Sequence, residues 1–253
     1  MNGMEIVSKT WRQTVSAKRG NLPTERRFGG GGGIAALVVF GYWLYVDCVA
    51  SGEAARRMQC GNNLRLLALA LQNYADTYAA LPEPFTTDAE GRPLHSWRVA
   101  LLPYIEQSAL YTQIRLDEPW DSEWNSRFHD QMPQTFVCPS GEGWTPWGTE
   151  SRETTYSVVV GEETAFASGK WRKMEEITDG TWDTLAVVER KTPVCWMNPT
   201  ADLTFKTLLD EAGSEHRGGF QASMLDGSVR FISTKIKPEI LRAMATASGG
   251  EKY

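Results

Sequence analysis

Several things are scarce or missing in this chain, and each absence excludes a class of function. There is no basic surplus: the formal net charge is −5, with residues 1–52 carrying +3 and the remainder −8. An acidic head excludes nucleic acid as a partner, because phosphate neutralisation needs clustered Lys and Arg. Histidine is rare, three residues with no i,i+4 pair, and the four cysteines form neither a CxxC nor a zinc-finger Cys/His spacing. No metal and no cofactor are therefore expected. Phosphate-loop, dinucleotide and nucleophile-elbow signatures are missing, so no catalytic residue is assigned and the chain is read as a non-enzyme. The five glycines at 29–33 are not a phosphate loop, since no Lys-Ser/Thr comes after them and an apolar run does. Even the longest apolar run is short: residues 29–46, closed by Asp47, against the about 20 residues of a spanning helix.

What is present begins with that run. Lys18, Arg19, Arg26 and Arg27 precede it, the bias that keeps an N-terminus cytoplasmic and exports the downstream chain. The expectation is a cytoplasmic tail (1–28), a transmembrane segment (29–52) and an extracytoplasmic head (53–253), single-pass in the inner membrane. A signal peptide cleaved after Gly52 is the competing reading; a lipid anchor on Cys48 is disfavoured by Asp47 just before it. The head's length and a hydrophobic content of 42% suit one globular domain.

With no proline break, the run continues into EAARRMQCGNNLRLLALALQNYADTYAALP, residues 53–82. Leu64, Leu67, Ala68, Leu71, Tyr74, Ala75 and Tyr78 recur at spacings of three and four, one apolar stripe of a helix ending before Pro82. Residues 96–111 read as a helix kinked or restarted at Pro103, residues 155–160 and 184–189 as strands, and Pro238 as the first turn of a last helix. Asp226-Gly227 reads as a two-residue type I′ hairpin turn, pairing Met224 with Val229 and Ala222 with Phe231. The fold class is α+β, a long N-terminal helix packed on an antiparallel sheet, the architecture of type IV pilins and pseudopilins. In an oxidising compartment the even cysteine count suggests a disulfide. Cys60–Cys138 is the favoured pair because it would tie the helix to the head, with buried free thiols as the other reading.

Several blocks then resemble one bacterial family, abundant in planctomycetes, with a prepilin-like N-terminus and a C-terminal H-x9-DG motif. They are EAARRMQCGNNLRLLALALQNYADTY, HSWRVALLPYIEQSALY, PWDSEWN, FVCPS, TTYSVVVGEETAF, ITDGTWDTLAVVE, WMNPTADL and HRGGFQASMLDGSVRFIS. His216, nine residues, then Asp226-Gly227 reproduce the closing motif. The family is a domain of unknown function that has also carried a solute-binding label. Two departures stand out: Val38 replaces the glutamate of a prepilin site, and the usual DGTSNT is DGTWDT at 179–184. The first argues against prepilin processing, the second against a ligand role for that turn.

The remaining candidates have plain readings. Ten residues of strand would separate His216 from Asp226 by about 33 Å, so His216 is read as a structural hydrogen-bonding residue and Asp226 as a turn former. Asp179, Asp183 and Glu189 lack EF-hand spacing and read as a turn residue with solvated charges. Trp120, Trp124, Trp144 and Trp147 fall in loops, either as pins or as surfaces for sugars and partners. The resulting expectation is a pilin-like structural or interaction protein. Its partners would be the inner membrane and other pilin-like subunits or a secretion or surface assembly; the alternative is an extracytoplasmic solute- or glycan-binding module.

Overall fold

The computed structural model describes residues 32–250 apart from 142–143, 146–147 and 150, with side chains from residue 52 onward outside 142–150. The chain divides into two compact units, Met1–Val49 and Ala50–Tyr253, and the second is the head. The expected cytoplasmic tail lies outside the described residues, as do the side chains of nearly all of segment 29–52 and those of Trp144 and Trp147. Among the described residues no helix is long and apolar enough to cross a membrane.

Helix α1 (Gly32–Tyr78) ends where Ala79 turns left-handed at φ +58°, with Pro82 beyond. Within the head its stripe is buried as the spacing predicts: Leu64, Leu67, Ala68 and Leu71 are no more than 1% exposed. Tyr78 departs from the stripe, half exposed beside Trp171. The predicted helix at 96–111 is three short pieces, α2 (Trp97–Ala100), a 3-10 turn (Leu102–Ile105) and α3 (Ser108–Tyr111). Pro103 restarts the chain, because it has no N–H to continue the ladder.

The central sheet has four antiparallel strands, β1 (Glu153–Ser157), β2 (Leu185–Cys195), β3 (Gly219–Met224) and β4 (Val229–Ser233), in the order β4-β3-β2-β1. One face joins α1: Tyr156 and Val187 share a core with Cys60, Leu64 and Leu67. The other meets α4 (Phe205–Glu211) and α5 (Pro238–Ala245), where Val188, Ala222 and Met224 pack on Leu208, Leu241 and Met244. Covered on both sides, β2 buries its first six residues in succession. The head is therefore α+β with an antiparallel sheet, as the sequence predicts.

The closing hairpin forms, but one residue out of the predicted register. Ser223 pairs Val229 and Ala222 pairs Arg230. The turn is a three-residue loop: the Gly227 N–H donates to Met224 O and the Met224 N–H to Ser228 O. Gly227 has φ +87° whereas Asp226 is not left-handed, so the pair makes an ordinary turn followed by one left-handed residue and not type I′. That single extra residue exchanges the faces of β4. Ile232 joins the core with Phe220 and Ala222, while Phe231, predicted to be inside, lies exposed under the Arg57 guanidinium 3.4 Å from its ring centre.

A buried ion pair pins the loop-rich part of the head to the sheet. Arg98 Nη2 reaches Asp202 Oδ1 at 2.8 Å with both side chains almost without exposure. It also donates to the Tyr156 carbonyl, and Asp202 accepts from Trp97 Nε1 and the Val158 N–H. Removing Asp202 would strand a guanidinium in the core; Asp202→Ala should cost about 3–5 kcal/mol, read as the thermal midpoint of the full-length chain. In the hairpin, Gly227→Val should cost about 1–3 kcal/mol, because it forces a β-branched residue into left-handed backbone. Asp226→Asn should change the midpoint little, since an amide oxygen can still accept the Ser228 N–H that Asp226 Oδ1 holds at 2.8 Å.

Candidate functional site

Between α1 and the sheet, four side chains from distant parts of the chain meet. Cys60 comes from the buried stripe of α1, Cys138 from the loop after the 3-10 turn Gln134–Phe136, Glu189 from the middle of β2, and His216 from the approach to β3. All four are buried, and their two sulfurs, one carboxylate oxygen and one ring nitrogen lie within 4.8 Å of one another. Regular structure explains part of this. On β2, Val187 and Glu189 fall two residues apart on the face toward α1. The loop carrying Cys138 is fastened to the same helix, because Asn63 Nδ2 donates to the Val137 carbonyl at 2.9 Å.

The contacts form a chain. The Cys60 thiol donates to Glu189 Oε1 at 2.7 Å, whose other oxygen accepts the Gln221 N–H, also at 2.7 Å. The Tyr156 hydroxyl donates to Cys60 Sγ at 3.2 Å. His216 Nε2 lies 3.6 Å from Cys138 Sγ and 3.7 Å from Glu189 Oε1. Its Nδ1 lies 2.6 Å from Glu53 Oε1, and a carboxylate only accepts, so Nδ1 carries the proton. Glu53 is held in turn by Arg56 at 2.8 Å.

Charge is shared unevenly. Burial first, then the neighbouring Cys138 sulfur, pushes the Glu189 carboxyl up to about 8. Burial opposes a cation on His216, but its hydrogen bonds to Cys138 and Glu53 outweigh this and raise it to about 9. The Cys60 side chain beside it lowers Cys138 to about 5 against the cost of burial, with His216 helping. Burial and the Cys138 and Glu189 charges raise Cys60. Of the two thiols, Cys138 is the one pushed toward the thiolate and Cys60 the one pushed toward the protonated form. Two thiols, an imidazole and a carboxyl group within one another's reach can bind a cation, and the two sulfurs alone can join as a disulfide.

Cys60 and Cys138 thus come together, here as two free thiols. His216 is a buried hydrogen-bonding residue before β3, whereas Asp226 and Gly227 stand in the loop beyond that strand, so the closing motif is not one site. Glu189, predicted to be a solvated charge, is fully buried. A Glu in a β-branched strand stretch was the only signal, and its burial depends on α1 covering that face. Asp179 caps the chain end, accepting from the Gly249 and Gly250 N–H groups, and Asp183 pairs with Arg230. His95 and His129 bond backbone carbonyls elsewhere. Trp120 stacks on His129, and Trp124 lies between Arg115 and Arg127, so both pin loops; among the described side chains the exposed indoles are Trp171 and Trp182. A cleft of about 400 Å³ adjoins the cluster, bordered by Cys138, Ser140, Glu153, Arg190, Lys191 and Glu215.

A family model described as a protein of unknown function (DUF1559) matches residues 51–205 and 198–239, which includes all four clustered residues. No curated protein and no solved structure is similar to the chain.

The cluster makes a stability prediction independent of any ligand. Glu189→Leu leaves the Gln221 N–H and the Cys60 thiol without an acceptor, at about 1–3 kcal/mol for each orphaned group. Glu189→Gln keeps one acceptor oxygen and should cost less. Thermal midpoints of the two variants, taken with EDTA present, should rank Gln above Leu.

Proposed function

We propose that this chain, which belongs to the DUF1559 family, is a membrane-anchored, pilin-like structural or interaction protein with its head outside the cytoplasm. The observation that carries this reading is the outward face of α1. The head covers one face of the helix, and the opposite one presents Met58, Leu66 and Leu69 at 70%, 50% and 48% exposure. Spacings of eight and three residues put these three within one quadrant of the helix. An apolar strip on the element leading out of the proposed anchor suits lateral packing against like helices of neighbouring subunits. The basic residues before segment 29–46 set the orientation.

A second reading, extracytoplasmic binding of a small solute, draws on the cleft beside Cys138 and on the name of the matching family model, SBP_bac_10. A volume of about 400 Å³ lies within the range of small-molecule sites. Its mixed border of Arg190, Lys191, Glu153 and Glu215 would favour a polar ligand over an apolar one.

Fractionation of the full-length tagged chain, with its N-terminus sequenced, tests the anchor. The expected result is an intact N-terminus in the inner-membrane fraction with the head open to protease from outside. A soluble cytoplasmic protein would overturn it. For the assembly surface, Leu66→Asp with Leu69→Asp should abolish cross-linked oligomers in the membrane while leaving the stability within about 1 kcal/mol of wild type, as expected of exposed positions. Oligomers unchanged by the double substitution would favour the solute-binding reading.

A further inference from the structure

We propose that Cys60, Cys138, Glu189 and His216 bind one Zn²⁺ ion in a closed tetrahedral site that bolts α1 to the sheet. The donor set is two sulfurs, one imidazole nitrogen and one carboxylate oxygen, drawn from four separate segments and converging within 4.8 Å. Zinc–sulfur bonds of about 2.3 Å and zinc–nitrogen or –oxygen bonds of about 2.0–2.1 Å imply ligand-to-ligand edges of about 3.3–3.8 Å in a tetrahedron. The His216–Cys138 and His216–Glu189 edges already measure 3.6 and 3.7 Å. The Cys60–Glu189 edge is shorter at 2.7 Å because it is a thiol-to-oxygen hydrogen bond. Loss of that proton to the metal would open it.

The surroundings support ligation as well as the ligands do. A metal-bound histidine needs its other nitrogen to donate to an acceptor that fixes the tautomer. Glu53 accepts from Nδ1 at 2.6 Å, leaving Nε2 turned toward Cys138 and Glu189, and Arg56 holds Glu53 in place. Tyr156 supplies a hydroxyl donor to the Cys60 sulfur, and the Gln221 N–H occupies the Glu189 oxygen that would not face the metal. Binding requires both thiols, the Glu189 carboxyl and the His216 Nε2 to stand without protons; any that these groups carry pass to solvent, and nothing is oxidised or reduced. Sulfur donors beside imidazole in a closed four-ligand shell select zinc over calcium or magnesium, which take oxygen. With all four ligands buried, no coordination position remains for a substrate, so the ion's role is structural.

A disulfide would use the same two sulfurs and exclude the metal. It would also take from fully buried Glu189 its Cys60 donor, leaving a carboxyl group and an imidazole beside an apolar bond. The zinc site uses all four groups; the disulfide uses two.

The full-length chain, purified in detergent without reductant or chelator, is the material for the test. Elemental analysis should find about one zinc per chain. The metal should be lost in Cys60→Ser, Cys138→Ser and His216→Gln, and retained in Cys195→Ser, whose thiol lies outside the cluster. Chelation should lower the wild-type thermal midpoint and leave that of His216→Gln unmoved. Because a variant can fail to fold, cobalt substitution of the wild-type chain gives a second reading: a thiolate-to-cobalt charge-transfer band with tetrahedral d–d absorption. A Cys60–Cys138 cross-linked peptide in zinc-free protein would overturn the proposal. So would a folded, reduced chain that takes up neither zinc nor cobalt.

Discussion

Glu189 is a carboxylic acid without solvent, and its needs shape the rest of the head. A buried polar group costs several kcal/mol unless its hydrogen-bonding capacity is met. Here Cys60 and the backbone of Gln221 meet it, one from α1 and one from β3. The requirement fixes the rotation of α1 over the sheet and the position of β3 beside β2. Through His216 it extends to Glu53 and Arg56, one to two turns back along the helix. Apolar packing alone would tolerate a small slide of α1; this polar chain would not, because each member has a partner at a defined distance.

The second buried polar centre works in the same way at another place. Arg98 and Asp202 lie where irregular segments meet the sheet, and they gather Trp97, Tyr156 and Val158 around one ion pair. Between these centres the core is ordinary: aromatic rings such as Phe136 stacked on Trp196, and aliphatic side chains on both faces of the sheet. The irregular loops carry little secondary structure, so side-chain hooks such as Asn125, bonded to three carbonyls, hold them. This is how a head built on one four-stranded central sheet keeps its loop surface in place.

Helix α1 separates two surfaces. The outward face of the helix is exposed at Met58, Leu66 and Leu69, whereas the inward face is closed by the cluster. Assembly on the outside and a metal on the inside are therefore compatible proposals. A rigidly bolted helix would present its outer strip in a constant orientation.

Features that depend on local periodicity and composition were readable from the chain itself. The stripe from Leu64 to Ala75 was legible because helical spacing repeats every few residues, and the class α+β came from it and from the alternating strands. The hairpin was legible too, through Asp226-Gly227, yet not its register. One extra loop residue reverses β4, and only the packing of Ile232 against α5 and Phe231 under Arg57 decides between the two. Cys60, Cys138, Glu189 and His216 lie up to 156 residues apart in the chain, with no spacing that signals a common site. Tertiary structure alone brought them together. Their meeting depends on α1 lying across one face of β2, a long-range contact that no local pattern encodes.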